Sequence, residues 1–340
     1  MKRFLLVSIL VLLVTLAGAI AAQRGPAAAV PAANAFLAML DAGERAKAAF
    51  PFNSPQKTNW SNLPSGIYQR NSLRLGDLTP AKRSAALAVV AAVLSADGYR
   101  KVTDIMNGDE VLRGAGGGQT GGRGGRGGGV TFGAAEYYIA ILGTPSATTP
   151  WMIQFGGHHL AINVTIVGQD NVITPSLPAA QPAKYTLNGQ TIRPLGKEND
   201  KGFALIGALN AEQRKQAILN YRVSDLVLGP GEDGKTIQPE GILATALDPN
   251  QQAMLLDLAH EWVGILNDEG AAARMAEIRS NLSRTYFAWS GATENGGLAY
   301  FRIQGPTLLI EYAPQQGDLD HIHTIYRDPT NDYGARLVAP

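Results

Sequence analysis

The sequence predicts an α+β fold: a largely antiparallel sheet in a single domain, with helices before it and inserted into it. Three observations carry this. Helical periodicity dominates up to about residue 113, and short β-branched or aromatic segments bounded by Gly or Pro dominate after residue 130. Helical patterns then return between two groups of strands, so there is no alternating βαβ series of a parallel sheet.

From the start of the chain, residues 1–22 have the three parts of a secretion signal. Lys2 and Arg3 form a charged start, Phe4 to Leu16 an apolar run, and Ala19-Ile20-Ala21 a small-x-small cleavage pattern beside Ala22. The run is about 13 residues, short of the roughly 20 that span a bilayer, so cleavage and export to the periplasm or the extracellular space are expected. Residues 23–34 read as a flexible N-terminus, and residues 35–340 as the folded domain. Ala35 to Phe50 is Ala- and Leu-rich and helical. Thr79-Pro80 forms an N-cap followed by Pro in the first turn, and Leu87, Val90, Val93 and Leu94 recur at helical spacing. A further helix is expected over Lys101 to Leu112.

Eleven of the residues 114–129 are glycine, and the entropy of ordering such a run predicts a disordered surface loop. A phosphate cradle needs a strand–loop–helix setting and a Lys followed by Ser or Thr, which the segment lacks. Strands are expected at Ala135 to Leu142, Trp151 to Phe155, His159 to Val167, Tyr286 to Trp289, Leu298 to Ile303, Thr307 to Tyr312 and His321 to Arg327. Tight connections such as Gln304-Gly305-Pro306 favour antiparallel pairing. Helices are expected at Ala211 to Leu219, Pro249 to Asp268 and Ala271 to Leu282.

Charge excludes some partners. The 340 residues carry 29 basic and 28 acidic side chains, and loss of Lys2 and Arg3 leaves 27 against 28. Such balance argues against nucleic acid or anionic lipid as a partner, and no stretch after the signal is apolar enough to span a membrane. With no Cys, neither disulfides nor thiolate chemistry is available, so any metal must be held by His, carboxylate or carbonyl oxygen.

Four of the five histidines fall in two pairs, His158-His159 and His321-Ile322-His323. On a strand, residues i and i+2 share a face, so His321 and His323 both reach one point. His158 and His159 are expected on opposite faces. Leu160, Ile162, Val164 and Ile166 follow His158, while Ala161, Asn163 and Thr165 follow His159, which makes His159 the preferred third ligand. All four are candidate metal ligands. Three imidazoles with an open position suit a divalent Zn, Cu or Fe ion, and Glu311 and Asp320 are the candidate catalytic carboxylates. Asp328 and Asp332 are further nearby carboxylates, and with Asn331 they lie in a turn-rich segment expected to be closed by Asx hydrogen bonds rather than to hold a cation. His260 lacks a partner at i+4 and reads as structural. Trp151, Trp289, Tyr300, Tyr312 and Tyr326 read as core. No Gly-x-Ser-x-Gly elbow or Gly-x-Gly-x-x-Gly turn occurs.

These segments also resemble the DUF3500 family, whose activity is not established. The resemblance is carried by Asn59-Trp60, Leu78-Thr79-Pro80, Gly143-Thr144-Pro145, and Trp151 leading to Gly156-Gly157-His158-His159-Leu160 and Asn163. It continues through Phe287-Ala288-Trp289-Ser290-Gly291, Gly305-Pro306, Ile310-Glu311-Tyr312 and His321-Ile322-His323-Thr324 to Asn331-Asp332-Tyr333-Gly334. It spans about residues 35 to 336 and implies one domain. The family pattern runs on to a final His; this chain ends Arg336-Leu337-Val338-Ala339-Pro340 without one. The functional expectation is an exported protein with a mononuclear metal site doing hydrolytic or redox chemistry on a small molecule. The alternatives are a non-catalytic small-ligand binder and a secreted scaffold, both with structural histidines.

Overall fold

The computed structural model describes residues 24–116 and 129–339. The expected signal segment and most of the Gly-rich segment lie outside the described residues. The first half of the chain contributes helices α1 (Pro26–Met39), α2 (Ala42–Ala48), α3 (Pro80–Val93) and α4 (Ala96–Gly114). Its strands are β1 (Ala49–Phe50), β2 (Leu73–Arg74), β3 (Tyr138–Leu142), β4 (Trp151–Gly157), β5 (Leu160–Val167), β6 (Asp170–Val172) and β7 (Ser176–Pro178). A small hairpin, β8 (Tyr185–Leu187) and β9 (Gln190–Ile192), leads to the second half: α5 (Gly196–Ala208), α6 (Ala211–Ala217), β10 (Ile242–Leu243), α7 (Pro249–Val263), α8 (Asp268–Ser280), β11 (Tyr286–Gly291), β12 (Ala299–Gly305), β13 (Leu308–Pro314) and β14 (Ile322–Arg327).

One mixed, largely antiparallel sheet runs β1-β3-β4-β5-β7-β14-β13-β12-β11-β10, bearing out the α+β prediction. No helix among the described residues is long and apolar enough to cross a membrane. One sheet face, with Leu160, Ile162, Val164 and Ile166 from β5 and Phe301, Ile303 and Ile310 from β12 and β13, packs with helix residues into the main core. The other face, with Ala161, Leu177 and Ile325, is covered by loop residues such as Trp60 and Leu226. The period-2 alternation of β5 therefore sorts its side chains as the sequence predicts.

The two halves repeat one another. Capping boxes open α2 (Asp41, Glu44) and α6 (Asn210, Gln213). An N-cap followed by Pro opens α3 (Thr79-Pro80) and α7 (Asp248-Pro249). The pairs Ile139↔Phe155, Gln154↔Asn163 and Gly157↔Leu160 have counterparts in Phe287↔Ile303, Arg302↔Glu311 and Gly305↔Leu308. The halves meet antiparallel at Ser176↔Tyr326. They meet again where the N-caps of α4 and α8 exchange bonds, Ser95 N–H to Ile265 O (3.0 Å) and Asn267 N–H to Val93 O (3.1 Å).

One expectation is corrected, and one helix stands where none was expected. Residues 26–34 are not a flexible lead but the first turns of α1, with Ala29 and Ala33 fully buried. Small Ala side chains allow close packing on α3, and the start is anchored by Gly25 N–H to Ala92 O (2.6 Å) and by Arg24 Nη1 to the carbonyls of Ala91 and Leu94 (2.8 and 2.9 Å). The charged, Gly-containing stretch that opens α5 hides a helix whose Phe203, Leu205 and Ile206 are buried. Gly202 is required there, since a Cβ would stand 2.6 Å from the Phe301 ring.

Candidate metal centre

His158 and His159 are the two residues that turn β4 back into β5, because Gly157 pairs directly with Leu160. The strand rule that sent their side chains to opposite faces therefore does not apply. His159 takes φ 59°, the left-handed region that favours glycine, and its ring stacks on that of His158 with centroids 3.7 Å apart. The His159 backbone is held on both sides, N–H to Asn62 O (3.0 Å) and O from Ala179 N–H (2.8 Å). A left-handed imidazole fixed this way is the local strain that functional turns carry.

His321 and His323 arrive from the other half, at the start of β14, the central strand next to β7. His159 Nε2 lies 2.8 Å from His321 Nε2, which lies 3.1 Å from His323 Nε2. One ligand nitrogen from each residue lies within 4.8 Å of the other two. The triad thus straddles the junction of the two halves. The counterpart of its turn in the repeat, Pro306-Thr307, carries no imidazole, so among the described residues the second half has no equivalent of this triad.

The surroundings favour the neutral form of His159 and His321. Burial, then the neighbouring imidazoles, push His159 well below the usual histidine range. Burial, then His323 and His158, push His321 down to about 4. His323 Nδ1 is 2.9 Å from Asp225 Oδ1, and Asn62 Nδ2 donates to His323 Nε2 at 3.2 Å. That pattern leaves the proton on Nδ1 and the lone pair on Nε2, the tautomer a carboxylate–histidine–metal arrangement uses. Burial opposes ionisation of Asp225, yet the hydrogen bond from His323 holds its carboxyl below the ordinary range. Three nitrogens, with no carboxylate among them, thus lie close enough together to hold a metal ion.

His158 sits beside the triad rather than in it. Its Nδ1 is 2.6 Å from Asp109 Oδ1 on α4, and Asp109 Oδ2 accepts from Gly133 N–H at 2.8 Å. Phe132 packs on the ring at 4.7 Å.

The expected catalytic carboxylates lie elsewhere. Glu311, on β13, is fully buried, and it accepts from Val227 N–H (2.6 Å), Leu228 N–H (3.0 Å) and Tyr300 Oη (3.2 Å). It braces the loop that carries Asp225. Asp320 is exposed, with Oδ1 accepting from Ala183 N–H at 2.9 Å. The carboxylates that do meet imidazoles, Asp225 and Asp109, have no marker in the sequence: one is in an irregular loop and the other is an acid within a helix. His260 is exposed on α7. The turn after β14 is closed by its own side chains: Thr330 N–H to Asp328 Oδ1 (3.0 Å), Asp328 N–H to Asp332 Oδ1 (2.9 Å) and Arg327 Nη1 to Asp332 Oδ2 (3.0 Å). The aromatic residues are core, with Trp289 stacked on Phe301 (5.7 Å) and Phe301 on Tyr312 (4.8 Å).

A protein-family model described as "Protein of unknown function (DUF3500)" matches residues 23–335. No curated protein and no solved structure matches the chain.

Proposed function

The chain belongs to the DUF3500 family, whose description assigns no activity, and from the geometry of the triad we propose that it is an exported mononuclear zinc protein that hydrolyses a small molecule. His159, His321 and His323 hold the ion through Nε2. Asp225 fixes the tautomer and orientation of His323, while Asn62, which donates to the same His323 Nε2 at 3.2 Å, must release that lone pair to the ion. The donor set favours zinc: non-haem iron sites use a carboxylate beside two imidazoles and blue-copper sites use a thiolate, while neither group stands in this triad. Bound zinc supplies Lewis acidity and lowers the pKa of its water to about 7. The Asp109–His158 pair places a second, oriented imidazole beside the ligands, suited to hold a proton or a polar substrate atom. Export rests on the signal pattern of residues 1–22 and on helix α1 starting at Pro26, just past the expected cut.

One observation carries the reading: imidazoles from two segments distant in sequence converge in a largely buried site. The test is metal analysis of the purified protein beside a His321→Ala/His323→Ala variant. One equivalent of zinc in the wild type, absent from a variant that keeps its folded circular-dichroism spectrum, supports the centre. A wild type with no affinity for zinc, cobalt or copper overturns it.

A further inference from the structure

Among the described residues, Asn62 is the one uncharged side chain, histidines apart, that is hydrogen-bonded to the triad. It lies in the irregular loop before β2 and is buried, and its side chain makes a single hydrogen bond there, Nδ2 to His323 Nε2 at 3.2 Å. The amide thus sits on the lone pair that His323 offers an ion. The backbone beneath it is fixed from two sides. Asn62 O accepts from His159 N–H at 3.0 Å. Arg70 Nη2 donates to the carbonyls that flank Asn62, Ser61 O and Leu63 O (2.7 Å each), and to Gly157 O (2.9 Å), which precedes the His158-His159 turn.

Resting on the metal reading above, we infer that Asn62 is a catalytic residue. Its Nδ2–H, released from His323, donates to the substrate oxygen on which negative charge develops, at the position the three imidazoles leave open. Zinc binds nitrogen at about 2.1 Å, inside the 3.2 Å that separates the amide from His323 Nε2, so the ion turns the amide aside. With the backbone held on both flanks, the short side chain swings only as far as its own two rotatable bonds allow, and the amide stays beside the ion. In hydrolysis of an acyl compound the water oxygen bonds to the acyl carbon, and the carbonyl π pair moves onto its oxygen, where Asn62 meets it. When that pair returns, the bond to the leaving group breaks, and the leaving group departs with a proton from the water. A fixed donor in a buried site acts most strongly where charge grows during such a step.

The test compares the full chain with Asn62→Ala, and with Asn62→Leu, which keeps the site filled should the Ala variant fail to fold. Zinc affinity is measured by competition titration, and binding of acetohydroxamate, which presents an anionic oxygen to bound zinc, by calorimetry. Because the amide competes for the His323 lone pair, its removal should leave zinc affinity unchanged or raise it up to about tenfold. The same variants, loaded with zinc, should bind acetohydroxamate about 10- to 100-fold more weakly, the loss of one hydrogen bond to a charged acceptor. Zinc affinity lowered more than about tenfold would make Asn62 a brace or a ligand and overturn the inference. So would unchanged hydroxamate affinity, or a zinc-loaded wild type that binds no hydroxamate, and in each case the metal reading stands. A wild type that binds no zinc removes both.

Discussion

His159→Asn separates a ligand from a structural histidine most cleanly. The residue holds φ 59°, where an ordinary side chain costs roughly 1–2 kcal/mol and Asn is tolerated better. Its ring is buried, with Nδ1 lacking a partner among the described residues, and such an orphaned polar atom costs about 1–3 kcal/mol. Against these gains stands the lost packing of one imidazole on His158, of order 1 kcal/mol. The Asn amide brings its own buried polar atoms and forfeits the His321 contact, so the terms roughly cancel: the metal-free variant should lie within about 1 kcal/mol of the wild type, a change of no more than about 4 °C in melting temperature. Zinc at a hundredfold excess over its dissociation constant should stabilise the wild type by about 2.7 kcal/mol and the variant hardly at all. The assay is thermal unfolding by calorimetry with chelator and with zinc. Loss of more than about 2 kcal/mol in chelator would show the ring to be a packing element, and an undiminished zinc shift would show that it is no ligand. Either result refutes the reasoning.

Other outcomes follow from the same geometry. His159 and His321 titrate below the unfolded value, so the unfolded chain takes up their protons first. The stability of the metal-free protein should therefore be flat above about pH 6.5 and fall as pH drops towards the folded value of about 4, with His321→Gln reducing the slope in urea unfolding measured across pH. Asp225→Asn, which removes the carboxylate that orients His323, should weaken zinc affinity about 10- to 100-fold in competition titrations while leaving the fold intact. Glu311→Ala strands the Val227 and Leu228 amides and should cost about 2–4 kcal/mol by chemical denaturation; an effect under half a kcal/mol would show the loop is held by other means. Expressed with its first 22 residues in a secreting host, the chain should be recovered outside the cytoplasm beginning at Ala22 or Gln23 by N-terminal sequencing, and an intact Met1 in the exported fraction would count against the signal.

Much of the fold was legible because local chemistry dictates it. Thr79-Pro80 and Pro249 marked helix starts, and the alternation along residues 160–167 assigned each side chain of β5 to the correct face. The failures have physical causes too. Helix α1 is stabilised by burial of small Ala residues against α3 rather than by an amphipathic pattern, and α5 starts in a charged segment whose buried face becomes apparent only against Phe301. The internal repeat was hidden because its halves share capping and register rather than residues: Gln154 and Asn163 in one stand where Arg302 and Glu311 stand in the other.

The sequence alone determined that imidazoles are the sole concentrated donor type in this chain, that thiolate chemistry is absent, and that His321 and His323 share one face, since strand periodicity is a property of the backbone itself. The tertiary structure decided the rest. It turned β4 back at His158-His159 so that the left-handed His159 joins the triad while His158 leans on Asp109, it brought Asp225 from a loop nearly a hundred residues away in sequence, and it removed Glu311 and Asp320 from the chemistry by giving their oxygens backbone partners. Which carboxylate meets which imidazole depends on how two repeated halves dock along β7 and β14, and that docking is set by summed packing over the whole core rather than by any short stretch of residues.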